Sequence, residues 1–564
     1  MKLSALMDFP DDARHVFFES TMYEMMRKLR MSGVSRVCLQ YYGDKTYGYF
    51  WDHKAPTHRE MVKTAGNLPD YSKVFVEAAK KFGLETVVIM RPLEQGMWQT
   101  FSPYYEESRK YGGIAYTGGN MMITSKFLRQ NPELRIKRRS YDLDPEAASK
   151  QVFKIRLFKH NNKHTRIKKK HISIYVSEDN SHYRKYSKDF TVSYDFAAAT
   201  RKSVSAKFAP DYPEDTLTDV GDQTEIIEIG GLAIDEKYIA VGVSFIDDTD
   251  EETAFMNTAV NLIRIYDCED NEICSSPGYA SRFIPEGADY LKVGFHFDDG
   301  LGEITLIRLD TGGTETFTAI AKGKSEYVHG ALCACEPKVQ DYWMKWLEKA
   351  MDSGFDYVGT RIECHSVHVD EPFAYGYNDC IKQEYFRRYG QCAERDMVLE
   401  RIAKIRGDCY TRMLVESARR TRQRGLKFIL TLNVEMLHDP IPAARRMAYP
   451  MNVEWQWEKW LDVTNPDEIT IRSYQMSPKY ILQNKKCRQI VDRAKLLDVP
   501  MNLERYDYWD FADDYRYVRD SVLFDRITLY ETNNILRSDG KGGLVELKPE
   551  LLNELKALVP EDTK

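Results

Sequence analysis

The densest group of side chains able to do chemistry in this 564-residue chain follows a short apolar run. Tyr357-Val-Gly-Thr-Arg-Ile-Glu-Cys-His365 alternates as a β-strand does, which puts Arg361, Glu363 and His365 on one face. His368, Asp370 and Glu371 follow at once. Inside an all-apolar strand of a parallel sheet these polar groups would carry a large desolvation cost. The cluster therefore reads either as a buried Arg–Glu pair at the mouth of a barrel or as the catalytic floor of a (β/α)8 barrel, where function gathers at the C-terminal ends of strands.

The elements needed to position that cluster run on both sides of it. A strand over 3–9 precedes an amphipathic helix from Ser20, its expected N-cap, to a stop at Gly33. A second strand covers 34–42, a helix covers 71–82, and a third strand runs from Thr86 to Glu94. Short β-α-β-α-β connections predict a parallel sheet. The alternation returns at Glu336-Pro337, where Val339, Trp343, Trp346, Leu347 and Ala350 space out an apolar helical stripe. Strands are then predicted at 357–363, 427–433, 468–474, 500–506 and 526–532, separated by helical stretches at 380–424, 455–461, 481–497 and 513–523. The count closes at eight, so the expected fold class is an α/β (β/α)8 TIM barrel.

Between about 153 and 320 the pattern changes to short β-like runs separated by Asp-, Asn- and Gly-rich turns, with no clear helix. All eight tryptophans lie outside this stretch. The expectation is an all-β sandwich domain at 150–327, inserted between strand three and its helix, and interrupting a barrel made of 1–145 and 328–564.

The predicted strand ends carry Asp8, Gln40, Arg91 and Glu94, Arg361 and Glu363, Asn433 and Glu435, Arg472 and Tyr474, Glu504 and Tyr506, and Glu531 and Asn533. Carboxylates crowded into one bowl repel one another, so one tends to hold a proton beside an ionised neighbour. That is the requirement for acid/base cleavage of a glycosidic bond. Tyr506 and Trp509, next to Glu504, are suited to stacking on a sugar ring, and His365 to contacting a hydroxyl.

Composition narrows the function classes. A formal net charge of −6 with 29% charged residues argues against an electrostatically driven nucleic-acid binder. No run approaches the roughly 18 apolar residues that cross a membrane, and the N-terminal apolar run is too short for a signal peptide. A cytoplasmic protein, or a secreted one whose leader has been removed, is expected. Ten cysteines without framework spacing read as mostly reduced, with Cys268 and Cys274 placed to bridge a hairpin. His365-x-x-His368-x-Asp370 offers metal-ligand types, but the chain does not resemble the zinc-dependent barrel hydrolases, which carry His-x-His on strand one where this sequence has only Asp8, so neither metal nor cofactor is expected. Ser538-Asp-Gly-Lys-Gly-Gly543 reads as a glycine turn or, alternatively, a phosphate cradle.

Glutamates ending strands four and seven resemble the acid/base and nucleophile of the large superfamily of retaining glycosidase barrels. That resemblance implies Glu363 as general acid/base and Glu504 as nucleophile. Gly359-Thr-Arg361-Ile-Glu363 also resembles the strand-four Gly-x-Arg-x-Asp motif of α-amylases, which would make Glu435 the acid; Glu replaces Asp here and the strand-seven motif is missing. Residues 336–390 and 500–532 resemble bacterial glycosyl-hydrolase-like barrel proteins. The resemblance rests on Glu336-Pro-x-Val, Arg361-x-Glu-x-His365, Tyr375-Gly-Tyr-Asn378, Phe386-Arg-Arg-Tyr-Gly390 and Leu529-Tyr-Glu-Thr532. It implies a glycosidase with a carbohydrate substrate. The alternatives are a barrel that binds sugars without cleaving them, and a lyase or isomerase acting on an acidic sugar held by Arg91, Arg361 and Arg472.

Overall fold

The computed structural model describes residues 1–12, 15–41, 59–93, 96–99, 120–159, 168–180, 182–198, 202–205, 216–219, 223–244, 260–277, 303–304, 315–362, 372–437, 452–473, 477–505 and 510–559. Eight parallel strands close into a barrel: β1 (Lys2–Asp8), β2 (Val34–Gln40), β3 (Glu85–Met90), β4 (Tyr357–Thr360), β5 (Lys427–Asn433), β6 (Glu468–Ser473), β7 (Met501–Arg505) and β8 (Arg526–Tyr530). β8 pairs back onto β1, with Leu6 opposite Tyr530. Each strand is followed by a helix that returns the chain to the opposite pole. These are α1 (Glu19–Met31), α2 (Tyr71–Lys81), α3 (Pro337–Met351), α4 (Leu399–Gln423), α5 (Trp457–Thr464), α6 (Lys485–Leu496), α7 (Phe511–Ser521) and α8 (Pro549–Leu558).

The period-2 alternation of the strands divides the barrel into two environments. One parity packs outward against the helices, and a single apolar cluster joins Leu3, Met7, Val88, Leu430, Ile471 and Leu503 to Met22, Phe75, Trp343, Leu414, Trp460 and Tyr515. The other parity points inward. Its middle layer is apolar, with Leu6, Cys38, Val87, Ile89, Tyr357, Ile429 and Tyr530 in one small cluster. Asn502 in the same interior donates to Thr470 Oγ1 at 3.1 Å and accepts from Thr528 Oγ1 at 2.9 Å, so this buried amide is partnered on both sides.

Between β3 and α3 the chain leaves the barrel and returns. The departing strand Arg135–Lys137 pairs antiparallel with the returning strand Tyr327–Leu332. Asn378 fastens this neck to the barrel: its Oδ1 accepts from Lys137 N at 2.9 Å and its Nδ2 donates to Arg135 O at 2.8 Å. Tyr375 Oη accepts from Arg138 at 2.9 Å, and Gly376 N donates to Lys137 O at 2.9 Å. Gly376 has φ +105°, and a Cβ there would meet Arg406 at 2.9 Å, so glycine is required on both counts. The Tyr375-Gly-Tyr-Asn378 motif is thus a structural clasp.

Beyond the neck lie two main antiparallel sheets. One orders Thr191–Ala198, Gln223–Ile234, Val152–Lys159, Val260–Tyr266 and Glu272–Pro277; the other orders Glu315–Ala321, Tyr238–Ser244, Ile172–Ser177 and Arg184–Lys185. One apolar cluster draws on both, including Ile155, Ile227 and Ile263 from the first and Ile174, Val241 and Ile320 from the second.

Several expectations need correction. Helix α1 begins at Glu19 and its N-cap, Phe18, makes no side-chain bond; Ser20 instead donates to Gly542 O at 2.9 Å. The predicted helix over 380–424 is divided into Asp379–Tyr389, Ala393–Asp396 and α4, with Gly390 and Met397 in left-handed conformations at the breaks. The one over 481–497 is divided at Asn484, whose side chain caps α6 through Lys486 N and Cys487 N. Cys335 and Cys409 form a disulfide, whereas Cys268 and Cys274 are free thiols. The glycine loop 538–543, by contrast, is a turn as expected, in a hairpin, with Asp539 accepting from Lys541 N and Gly543 N.

Candidate active site

The inward parity decides which strand-end residues meet. At the C-terminal pole it brings together Asp8, Gln40, Arg91, Arg361, Asn433, Arg472, Glu504 and Tyr530, all buried. Neighbouring strands fix their lateral order: Asp8 is in register with Gln40, Asn433 with Arg472, and Arg472 with Glu504.

Two carboxylates organise this layer. Asp8 Oδ2 accepts from Gln40 Nε2 and from Tyr530 Oη, each at 3.1 Å, and Arg91 Nη2 stands 3.7 Å away. Glu504 is held by two guanidiniums, both on Oε1. Arg361 Nη1 donates at 3.1 Å from the residue just after β4, and Arg472 Nε donates from β6, adjacent to β7. The Arg361 bond crosses the interior, because β5 and β6 separate β4 from β7 in the sheet. Tyr530 gives both arginines an aromatic face, with its ring centroid 4.9 Å from Arg472 Cζ and 5.8 Å from Arg361 Cζ.

Three guanidiniums at one depth strain the electrostatics. Burial lowers the Arg361 pKa from its ordinary value, the positive charges of Arg472 and Arg91 lower it further, and Glu504 opposes them. Arg361 Nε and Nη2 are buried and have no hydrogen-bond partner among the described residues. Its Nη1 is the nitrogen that bonds Glu504.

Of the residues singled out in the sequence, Asp8, Gln40, Arg91, Arg361, Asn433, Arg472 and Glu504 do share this layer. Glu531 is buried immediately after β8, beyond a cis Tyr530–Glu531 peptide. Glu435 falls in the single helical turn Val434–Leu437 that follows β5, and its side chain lies outside the described set. Glu363, His365, Tyr474, Tyr506, Trp509 and Glu94 lie outside the described residues. Tyr530 is the residue the sequence reading missed. Its signal was parity: counting inward positions back along β8 from the pole selects Tyr530, not Glu531.

No protein-family model matches the chain, and no curated protein does. Among solved structures, the catalytic domain of a β-amylase from Paenibacillus polymyxa aligns with 100% of this chain and 98% of its own at a TM-score of 0.40 and 9% identity.

The layer can bind a polar, hydroxyl-rich molecule through Asp8, Gln40, Asn433 and Tyr530, and it can present Glu504 Oε2 to an electrophile while Oε1 is held. One group of three potential metal ligands occurs among the described residues: Cys333, Glu336 and Cys380, whose ligand atoms lie within 4.8 Å of one another. Cys380 Sγ donates to Glu336 Oε1 at 3.2 Å, and the hydrogen bond from Cys380 is the main cause lowering the Cys333 pKa. Cys333 belongs to the apolar shell outside the barrel, away from the interior layer. No described helix is long and apolar enough to cross a membrane.

Proposed function

We propose that the chain is a glycoside hydrolase acting on an oligosaccharide or glycan fragment by a two-carboxylate, retaining mechanism. The observation that carries this reading is Glu504, buried at the C-terminal end of β7, where Arg361 and Arg472 both bond Oε1. A carboxylate so fixed is preorganised as a nucleophile. Glu504 Oε2 attacks the anomeric carbon while Glu363 protonates the departing glycosidic oxygen. Water, deprotonated by Glu363, then releases the sugar from the glycosyl-enzyme ester. Glu363 has the parity of Arg361 and lies two residues further on. Arg361 itself reaches Glu504 across the interior, which supports pairing a strand-four residue with the strand-seven carboxylate.

In this reading 1–145 and 328–564 make the barrel, and 150–327 is an inserted β-sandwich domain that adds sugar-binding surface at the mouth. The paired neck strands and the core shared by the two sheets support that division. The Cys335–Cys409 disulfide favours the secreted alternative over a reducing cytoplasm.

The test is turnover on a panel of neutral and acidic glycans, with anomeric configuration followed by NMR. Glu363→Gln loses most activity on substrates with poor leaving groups. Glu504→Ala is inactive and regains partial turnover with azide, giving a glycosyl azide of inverted configuration. Normal turnover in both variants would remove the pair.

A further inference from the structure

Arg361 supplies one bond to Glu504, and that bond uses only Nη1. The remaining donors, Nε and Nη2, point the same way from one edge of the planar guanidinium, a spacing that matches the two oxygens of a carboxylate. Among the described residues the same edge is used for that purpose four times elsewhere. Arg27 grips Glu24 through Nε at 2.7 Å and Nη2 at 2.5 Å. Arg387 grips Glu384 at 2.6 and 2.7 Å. Arg419 grips Glu416 at 2.7 and 2.6 Å, and Arg139 grips Asp142 at 3.2 and 2.7 Å. In Arg361 the whole edge is buried and has no partner among the described residues.

Two buried donors left unpaired are expensive, on the order of 1–3 kcal/mol per group, and such groups cluster where a ligand completes the set. The local charge points the same way. Arg91 and Arg472 press on Arg361 electrostatically, and a negative ligand on that edge relieves Arg361.

We infer that the vacant Nε/Nη2 edge of Arg361 is a carboxylate clamp, so that the substrate is a glycan carrying a uronic acid at the subsite beside Glu504. This rests on the glycosidase reading for the reaction, but not for the binding. A planar carboxylate matches the two parallel N–H groups, and two oxygens of a sulfate ester can also take them, so a sulfated sugar is the comparison that the test must include. Arg361 is also the residue that orients Glu504, so the clamp couples recognition of the acid group to the position of the nucleophile.

The test compares calorimetric binding of methyl glucuronide and methyl galacturonide with the matching neutral methyl glycosides and with a glucoside 6-sulfate. Wild type binds at least one uronide about tenfold or more tighter than its neutral counterpart, the worth of one charge-assisted pair. Arg361→Met removes that preference, whatever its effect on the neutral glycoside. Arg361→Lys, which retains the charge but not the fork, also loses most of the preference. Uronide and neutral glycoside binding alike in wild type would overturn the inference, as would a preference that survives in Arg361→Lys or tighter binding of the sulfate. The two readings fail separately. Cleavage of neutral glycans without uronide binding removes the clamp and leaves the glycosidase. Clamp-dependent uronide binding, with an unsaturated uronate as product, keeps the clamp and replaces hydrolysis by elimination.

Discussion

The two poles of the barrel both bury arginine against glutamate, and they do so differently. At the N-terminal pole Arg36 donates through Nε to Glu85 at 3.0 Å and through Nη1 to both oxygens of Glu468 at 2.8 and 2.7 Å, with Cζ 4.1 Å from the Tyr357 ring centroid. Arg526 donates to Ser4 at 2.9 Å, to Ser35 at 3.1 Å and to Glu85 at 2.9 Å. Two arginines meet two glutamates, and no buried polar atom of the four side chains lacks a partner. A cavity of about 540 Å³ opens there, but its charged lining is internally matched. At the C-terminal pole Arg361 shares Glu504 with Arg472 and keeps an edge unfilled. The first arrangement is complete without a ligand; the second is not. The arginines are buried alike at both poles, and the difference in partners separates a group that holds the barrel together from one poised to bind.

The largest effect that would sharpen this contrast is catalytic. Glu504→Gln lowers kcat by about 10⁴-fold or more on the best glycan found, as loss of a nucleophile does. Steady-state kinetics decide it, and near-normal turnover would break the functional side of the comparison. Next comes a structural loss at the other pole. Arg36→Met leaves Glu468 buried without its partner and costs about 3–5 kcal/mol, read from urea unfolding, while the kcat of the folded fraction stays within about twofold. A large kcat change with intact stability would assign function to the N-terminal pole instead.

A smaller effect is a pH dependence. Burial raises the Glu85 pKa, but Arg36 and Arg526 outweigh it and leave the carboxyl below its ordinary value. A depressed folded-state pKa contributes stability that is fully present above the unfolded value, about 4.3. That contribution is lost as pH falls through the lower folded value. Glu85→Gln therefore flattens the acid limb of the stability–pH curve below about pH 4.3 and leaves its neutral shape unaltered. An unchanged acid limb would mean that the Glu85 pairing is not formed in solution.

Much of the barrel was legible because each strand and helix announces itself locally. Apolar alternation, a glycine stop and a proline start recur through the chain, and Lys427–Asn433 is found where periodicity puts it. Several strand ends were read too long, by three residues at 357–363 against Tyr357–Thr360 and by two at 526–532 against Arg526–Tyr530, since β-forming residues continue after the ladder has ended. The N-terminal network was invisible for another reason. Arg36 and Glu468 are 432 residues apart, and only barrel closure brings them together. The same holds for Cys335 and Cys409, whose meeting depends on how the start of α3 packs against α4. Asp8, Gln40, Arg91 and Glu504 were found because strand ends were searched, whereas Tyr530 needed the inward parity to be counted.

The measurement that tests the central contrast most directly is urea unfolding of Arg36→Met and Arg361→Met side by side, without ligand. Removing Arg361 takes away one of three crowded positive charges and two unpaired donors, while Glu504 keeps its bond from Arg472. The account predicts that Arg36→Met loses about 3–5 kcal/mol, and that Arg361→Met lies within about 1 kcal/mol of wild type or is more stable. Equal destabilisation by the two substitutions would contradict it, because Arg361 would then be as fully engaged in holding the barrel as Arg36.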